Sequence, residues 1–352
     1  MNLPVTQQSQ QEDQHIEPFL AADVGGTHVR VGLVVADAGG ICPVRVAHYR
    51  VYRGAEWMDL VAVLKNFIDE LANTAFRETF RMKLCVVACA GYVVDDRVVS
   101  ENLPWPVSVR DTRERLNVDQ LELINDFAAM AWGIPCVGED EAQVVVAAPT
   151  QVGGEPVLVI GPGTGLGAGV FLPGAPYGQV LRTEAGHASL APGNSREMAI
   201  LEVLALDRPY VAIGDALSGP GLLNLYRAIC DLENHPRSLT SPAEITHAAM
   251  CVPGESEAAE AVQVFCGLLG SFVGDLVLLY GARGGVYLTG SILPQVASLL
   301  VRSTFVERYF NKGVMAAYLR NVPVRLVEQG QRGVVGAALW YLANRRMAHD
   351  GF

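Results

Sequence analysis

Leu20-Ala21-Ala22-Asp23-Val24-Gly25-Gly26-Thr27-His28-Val29-Arg30-Val31-Gly32-Leu33-Val34-Val35 is the stretch on which the fold turns. The residues before Asp23 are small or apolar, which suits a buried strand. After Thr27, Val29, Val31 and Leu33 alternate with His28, Arg30 and Gly32, the period of a second, half-buried strand. Asp-x-Gly-Gly-Thr between them makes a hairpin without a Cβ at its tightest point. Glycine admits positive φ there, so backbone N–H groups can crowd round an anion. Thr27 adds a hydroxyl, and Asp23 a carboxylate where a metal or its waters could sit. A plain hairpin with a capping aspartate uses the same residues, so a second copy has to separate the two readings.

That copy exists. Val157-Leu158-Val159-Ile160 runs into Gly161-Pro162-Gly163-Thr164-Gly165-Leu166-Gly167, and Ala168-Gly169-Val170-Phe171 follows. No helix follows the glycines, which excludes the dinucleotide-binding pattern, and no Gly-Lys-Ser/Thr closes a P-loop. Two strand–turn–strand phosphate loops imply a duplicated fold with a nucleotide between its halves.

The chain has 352 residues, enough for two domains and a sizeable core. Its net charge of −11 argues against a nucleic-acid or anionic-membrane partner. Any phosphate would then be held by backbone N–H groups and metal rather than by a basic cleft. Cysteines 42, 85, 89, 136, 230, 251 and 266 show no CxxC pair or zinc spacing. This odd, scattered set suits reduced thiols in a cytoplasmic protein. Residues 1–18 are polar and Gln-rich without an apolar core, which reads as a flexible tail and not a signal peptide. Val264 to Ala282 is almost wholly apolar, but Asp275 and recurring glycines favour a buried helix over a membrane span.

In order, Ile41 to Val51 gives a strand, and Trp57 to Leu71 carries apolar residues at helical spacing. Leu84 to Ala90 is a buried strand, and Val93 to Val99 turns back around Asp95-Asp96. Glu101-Asn102-Leu103-Pro104-Trp105-Pro106 is a rigid loop presenting Asn102, and Ser108 caps a short helix. Leu121 to Ile124 is a strand that stops at Asn125-Asp126, where Phe127 to Trp132 begins a helix. Asp126 thus sits at a strand's C-terminal end, where open α/β sheets bind ligands, although an N-cap aspartate would look the same. Val144 to Ala148 leads to the second phosphate hairpin. Thr183-Glu184-Ala185-Gly186-His187 then gathers polar groups suited to a polar ligand. Ser195 caps a helix through Leu206, and further helices start at Gly219 and Ser241. Val286 to Ser291 and Val324 to Val327 are strands, and Gly333 to Arg345 is a closing helix. The order βββαβα in each half, with helices inserted in the second, is an α/β two-domain architecture around a cleft.

Asp23-Val24-Gly25-Gly26-Thr27, Ile124-Asn125-Asp126-Phe127, Gly163-Thr164-Gly165-Leu166-Gly167, Glu184-Ala185-Gly186-His187, Leu217-Ser218-Gly219-Pro220-Gly221 and Gly284-Gly285-Val286-Tyr287-Leu288-Thr289-Gly290 resemble bacterial ATP-dependent glucokinases. That family belongs to the hexokinase/actin-like superfamily. The zinc-binding cysteine cluster of the related repressor/sugar-kinase group is absent after Gly186-His187. The resemblance implies a duplicated ribonuclease H-like, actin-like ATPase fold. Residues 19–125 would form the small domain, joined by the C-terminal helix 333–352, and 126–332 the large one.

It also implies roles. Asp23, Gly25, Gly26 and Thr27 would meet the phosphates of ATP and Mg2+, with Asp23 reaching the metal through water. Gly163, Thr164 and Gly165 would form the facing loop, and Gly290 would pass beneath the adenosine. Asn102, Asp126, Glu184 and His187 would hydrogen-bond a hexose, most simply glucose, and Asp126 would be the general base. A homodimer is compatible with this resemblance. The family's sugar-binding glutamate aligns with Gly214, and Asp215 is its nearest substitute. That departure leaves a sugar-binding regulator as the alternative, while an actin-like structural ATPase would give the polar set no purpose.

Overall fold

The computed structural model describes residues 16–37, 39–73, 82–100, 103–149, 153–174, 178–251 and 256–349. Strand β1 (Phe19–Val24) is buried along its whole length and pairs antiparallel with β2 (His28–Ala36). β2 pairs antiparallel in turn with β3 (Val44–Arg53). Helix α1 (Leu60–Leu71), capped by Asp59 through the Ala62 N–H, lays Leu60, Leu64 and Phe67 into the core beneath this sheet. Then come β4 (Leu84–Cys89), the hairpin β5 (Tyr92–Val94) and β6 (Arg97–Val99), α2 (Val109–Leu116) and β7 (Gln120–Asn125). β4 and β7 add in parallel, giving the order β3-β2-β1-β4-β7.

Helix α3 (Asp126–Gly133) joins the halves. Ala128, Ala129 and Trp132 pack with the first sheet, while Met130 and Ala131 pack against Val159 of the second. Its small side chains let one helix serve two sheets.

The second half contains β8 (Ala142–Val146), β9 (Val157–Pro162), β10 (Leu166–Leu172) and β11 (Gln179–Thr183). Helices α4 (Ser195–Leu204), α5 (Gly219–Glu233), α6 (Pro242–Cys251) and α7 (Glu257–Tyr280) follow. The remainder is β12 (Gly285–Leu288), α8 (Leu293–Leu300), α9 (Phe305–Phe310), α10 (Ala316–Leu319), β13 (Val324–Val327) and α11 (Arg332–His349). The order β11-β10-β9-β12-β13, antiparallel then parallel, repeats the first sheet, and β8 adds an antiparallel edge. The duplication inferred from the two hairpins is therefore present in the topology.

Helix α7 is the apolar segment. It is long and apolar enough to cross a membrane, but Phe265, Leu269, Val273 and Val277 are buried in the larger core. Asp275 meets Lys312 Nζ at 2.5 Å, which accounts for the charge within it. Helix α11 returns to the first sheet with Val334, Ala337 and Ala338. It crosses α3 so closely that a Cβ on Gly336 would lie 1.7 Å from the Ala129 carbonyl oxygen.

The structure departs from two local expectations and decides between the alternatives at a third position. Asn194, not Ser195, caps α4, because its side chain accepts from the Glu197 N–H. Asn125, not Asp126, caps α3 through the Ala128 N–H at 3.0 Å, which releases Asp126 from that duty. Cys42 and Cys136 form a disulfide, while Cys85, Cys89, Cys230, Cys251 and Cys266 are free thiols. The pair is separated by 94 residues, yet its Cα atoms stand 5.0 Å apart because the β2–β3 connection lies beside the end of α3. Sequence spacing carries no trace of that meeting.

Candidate active site

Both glycine hairpins open on one cleft. In the β1–β2 turn the Gly25 N–H donates to the His28 carbonyl at 3.0 Å; in the β9–β10 turn Gly163 donates to Gly165 at 2.7 Å. Gly25, Gly26 and Thr27 line the cleft from one side, Gly163, Thr164 and Gly165 from the other, with Gly290 and Ser291 between. A Cβ on Gly163 would meet nothing closer than Ser291 Oγ at 3.7 Å, so it would project into open cleft. Gly290 is fixed by its own backbone: its φ is +101°, and a Cβ would lie 2.3 Å from the Pro162 carbonyl.

Asp126, Glu184 and His187 converge on the same cleft. Asp126 Oδ1 accepts from the Phe127 N–H at 2.9 Å. Burial raises its pKa to about 7, helped by the charges of Asp23 and Glu184 and opposed by that N–H. Helix α3 comes this close because β10 offers glycine: a Cβ on Gly167 would penetrate the Phe127 ring at 1.9 Å. The turn carrying Glu184 and His187 presses on β10 through Gly186, and the Tyr210 hydroxyl donates to the His187 carbonyl. Asn102 lies outside the described residues.

Asp23 is 1 % exposed, beneath the cleft floor. Burial raises its pKa, while Arg30 and Gln329 work against that shift. Both neighbours line the cleft themselves. Arg30 is a basic group on the cleft wall, 3.5 Å from the Asp23 carboxylate. It is also one that strand periodicity assigns to the polar face of β2 without naming a partner. Gln329 lies 306 residues from Asp23 in the chain, and no local signal identifies it.

Asp215 is turned away. One oxygen accepts from the Ala212 N–H at 2.8 Å, and the other pairs with Arg208 at 2.8 Å. Gly214 does face the Glu184–His187 turn, and a Cβ there would stand 3.0 Å from the Gly186 carbonyl oxygen. Asp215→Ala is therefore expected to leave ligand affinity in the cleft within about twofold and to cost about 1 kcal/mol, as for a lost cap. Calorimetric titration and thermal melting check the two halves of that statement.

Two sheets of one topology, with facing glycine hairpins and a polar set beside them, define the actin-like ATPase architecture. Sequence comparison narrows this. The family profile described as Glucokinase matches residues 20–344. A glucokinase-like protein of Xylella fastidiosa (strain Temecula1) is 44% identical over 330 residues, covering 93% of this chain and 96% of its own. A glucokinase of Stenotrophomonas maltophilia (strain R551-3) is 36% identical over 329 residues, covering 92% and 95%. The crystal structure of a glucokinase from an Antarctic psychrotroph superposes with a TM-score of 0.78 at 32% identity, covering 93% of this chain and 99% of the other. The chain belongs to the glucokinase family.

Proposed function

We propose that this protein transfers the γ-phosphoryl group of ATP to the 6-hydroxyl of glucose or a closely related hexose. The observation that carries the reading is Asp126: a carboxylate freed from capping, with its pKa near 7, beside two phosphate-type hairpins and across from Glu184 and His187. Phosphoryl transfer asks for alignment, charge neutralisation and an acceptor for the alcohol's proton. Asp126 takes that proton, while Glu184, His187 and Asn102 orient the sugar. The other backbone N–H groups of the two turns, at residues 26–27 and 164–165, hold the phosphates, and Arg30 adds one positive charge.

Among the described residues, no group of three or more His, Cys, Asp or Glu forms a closed metal cage. Magnesium, which keeps several waters and takes few protein ligands, fits that donor set, with Asp23 as a water-mediated anchor. Bound Mg2+ would supply charge neutralisation on the phosphates. Rotation of the two lobes about α3 and the 328–331 crossing would exclude water as a rival acceptor.

A base with a pKa near 7 is active only when deprotonated. The rate is therefore expected to fall tenfold per pH unit below about 7, with the acid limb of kcat/KM centred there. A limb near pH 4 would contradict this assignment. The gap at Gly214 is expected to weaken glucose binding about 10- to 100-fold relative to a full polar set, since a charged hydrogen bond is worth about 1.5–3 kcal/mol. Gly214→Glu should recover part of it. The activity itself is tested by a coupled ADP-release assay with Mg-ATP and a hexose panel; hexose-dependent turnover supports the reading, and its absence for every sugar opposes it.

A further inference from the structure

The segment from Gln329 to Gly333 touches Asp23 from two sides. Gln329 Nε2 donates to Asp23 Oδ2 at 3.0 Å, and Arg30 Nη1 stands 3.5 Å from that same oxygen. From the other side, a Cβ on Gly333 would lie 2.6 Å from Asp23 Cγ and 2.7 Å from Oδ2. The first turn of α11 therefore leaves the carboxylate room only because residue 333 is glycine. Packing fixes where the carboxylate sits. Rotation about its Cβ–Cγ bond, which would exchange the two oxygens, is opposed by the donors on Oδ2.

Those donors differ in origin. Arg30 comes from β2, in the same hairpin as Asp23, so it follows Asp23 in any movement of that lobe. Gln329 comes from the stretch that leaves β13 in the second sheet and enters α11 on the first. The next residue is pinned to the first lobe, because the Tyr49 hydroxyl donates to the Gly330 carbonyl at 2.9 Å. Gln329 is half-buried and lines the cleft beside the hairpin glycines, whereas Asp23 lies beneath them.

We propose that Gln329 is a positioning residue for the metal-nucleotide site. Its amide holds Oδ2 of Asp23 and leaves the other oxygen for the waters of a bound divalent cation. The inference rests on the reading of the cleft as a Mg-ATP site.

The test separates metal-dependent from metal-independent nucleotide binding. ADP affinity is measured by calorimetry with excess Mg2+ and again with EDTA, for wild type, Gln329→Leu and Gln329→Asn. Leucine keeps the bulk without a donor, and asparagine keeps the amide one methylene short. In wild type, Mg2+ should tighten ADP binding. In both variants that gain should shrink about tenfold, the effect of losing a hydrogen bond to a charged group. Affinities for metal-free ADP and for glucose should stay within about twofold, and kcat should fall about tenfold at saturating substrates. A merely structural role would lower the melting temperature and weaken metal-free ADP and glucose alike, which would overturn the proposal. An undiminished Mg2+ gain in both variants would overturn it too, leaving the cleft reading intact. No Mg2+ effect in wild type would overturn the cleft reading and this inference with it.

Discussion

Replacing Asp126 with asparagine is expected to lower kcat about 100- to 10,000-fold while glucose affinity stays within about tenfold. The amide keeps the shape and one acceptor, so the sugar is still held, but it cannot take the proton of the 6-hydroxyl. A second consequence concerns stability. The folded-state pKa of Asp126 lies near 7, above the ordinary carboxylate value of 3.8. A raised carboxylate favours folding below its unfolded pKa, and that contribution is lost as pH rises through the folded value. Asparagine does not titrate, so the variant should melt higher than wild type at pH 8, and the advantage should vanish near pH 4. Lost turnover combined with gained alkaline stability is hard to obtain from a damaged fold. A variant retaining more than a tenth of wild-type kcat would remove the base assignment.

Gly163→Val is expected to weaken Mg-ATP binding about 100-fold with little change in melting temperature. Gly163 does not require a left-handed backbone, and the nearest atom to an added Cβ is Ser291 Oγ at 3.7 Å. The added Cβ therefore makes only an ordinary contact, and the side chain enters the space assigned to a phosphate. Losing one or two hydrogen bonds to that charged group, at about 1.5–3 kcal/mol each, sets the magnitude. Gly290→Ala is a useful contrast. A side chain there collides with the Pro162 carbonyl at 2.3 Å on a backbone of φ +101°, so that change should destabilise the fold outright. Unchanged ATP affinity in a folded Gly163→Val protein would rule out the β9–β10 turn as a phosphate loop.

Much of this architecture can be read from residues alone, for physical reasons. The β1–β2 and β9–β10 hairpins declare themselves because an apolar run, a glycine turn and an alternating strand are local features with distinct periods. Asp126 is visible because strand and helix signals meet at it. What escapes is set by contacts between distant segments. Cys42 finds Cys136, and Asp23 finds Gln329, only once α3 and α11 are packed. Asp215 illustrates the opposite failure. It stands one residue from a family position, yet its carboxylate is spent on Ala212 and Arg208, because a short acidic side chain in a tight turn bonds to its own backbone. The cap of α4 falls one residue before Ser195 for a related reason: asparagine and serine compete for that position, and the geometry of the entering chain selects between them.

Product identification separates sugar phosphorylation from ATP hydrolysis. Purified protein is incubated with Mg-ATP and glucose and followed by phosphorus NMR, with 6-deoxyglucose in a parallel sample. ADP and glucose 6-phosphate are expected in equal amounts, with no sugar phosphate from the 6-deoxy analogue. ADP accompanied only by inorganic phosphate, or a sugar phosphate formed equally from the 6-deoxy analogue, would contradict the proposed transfer.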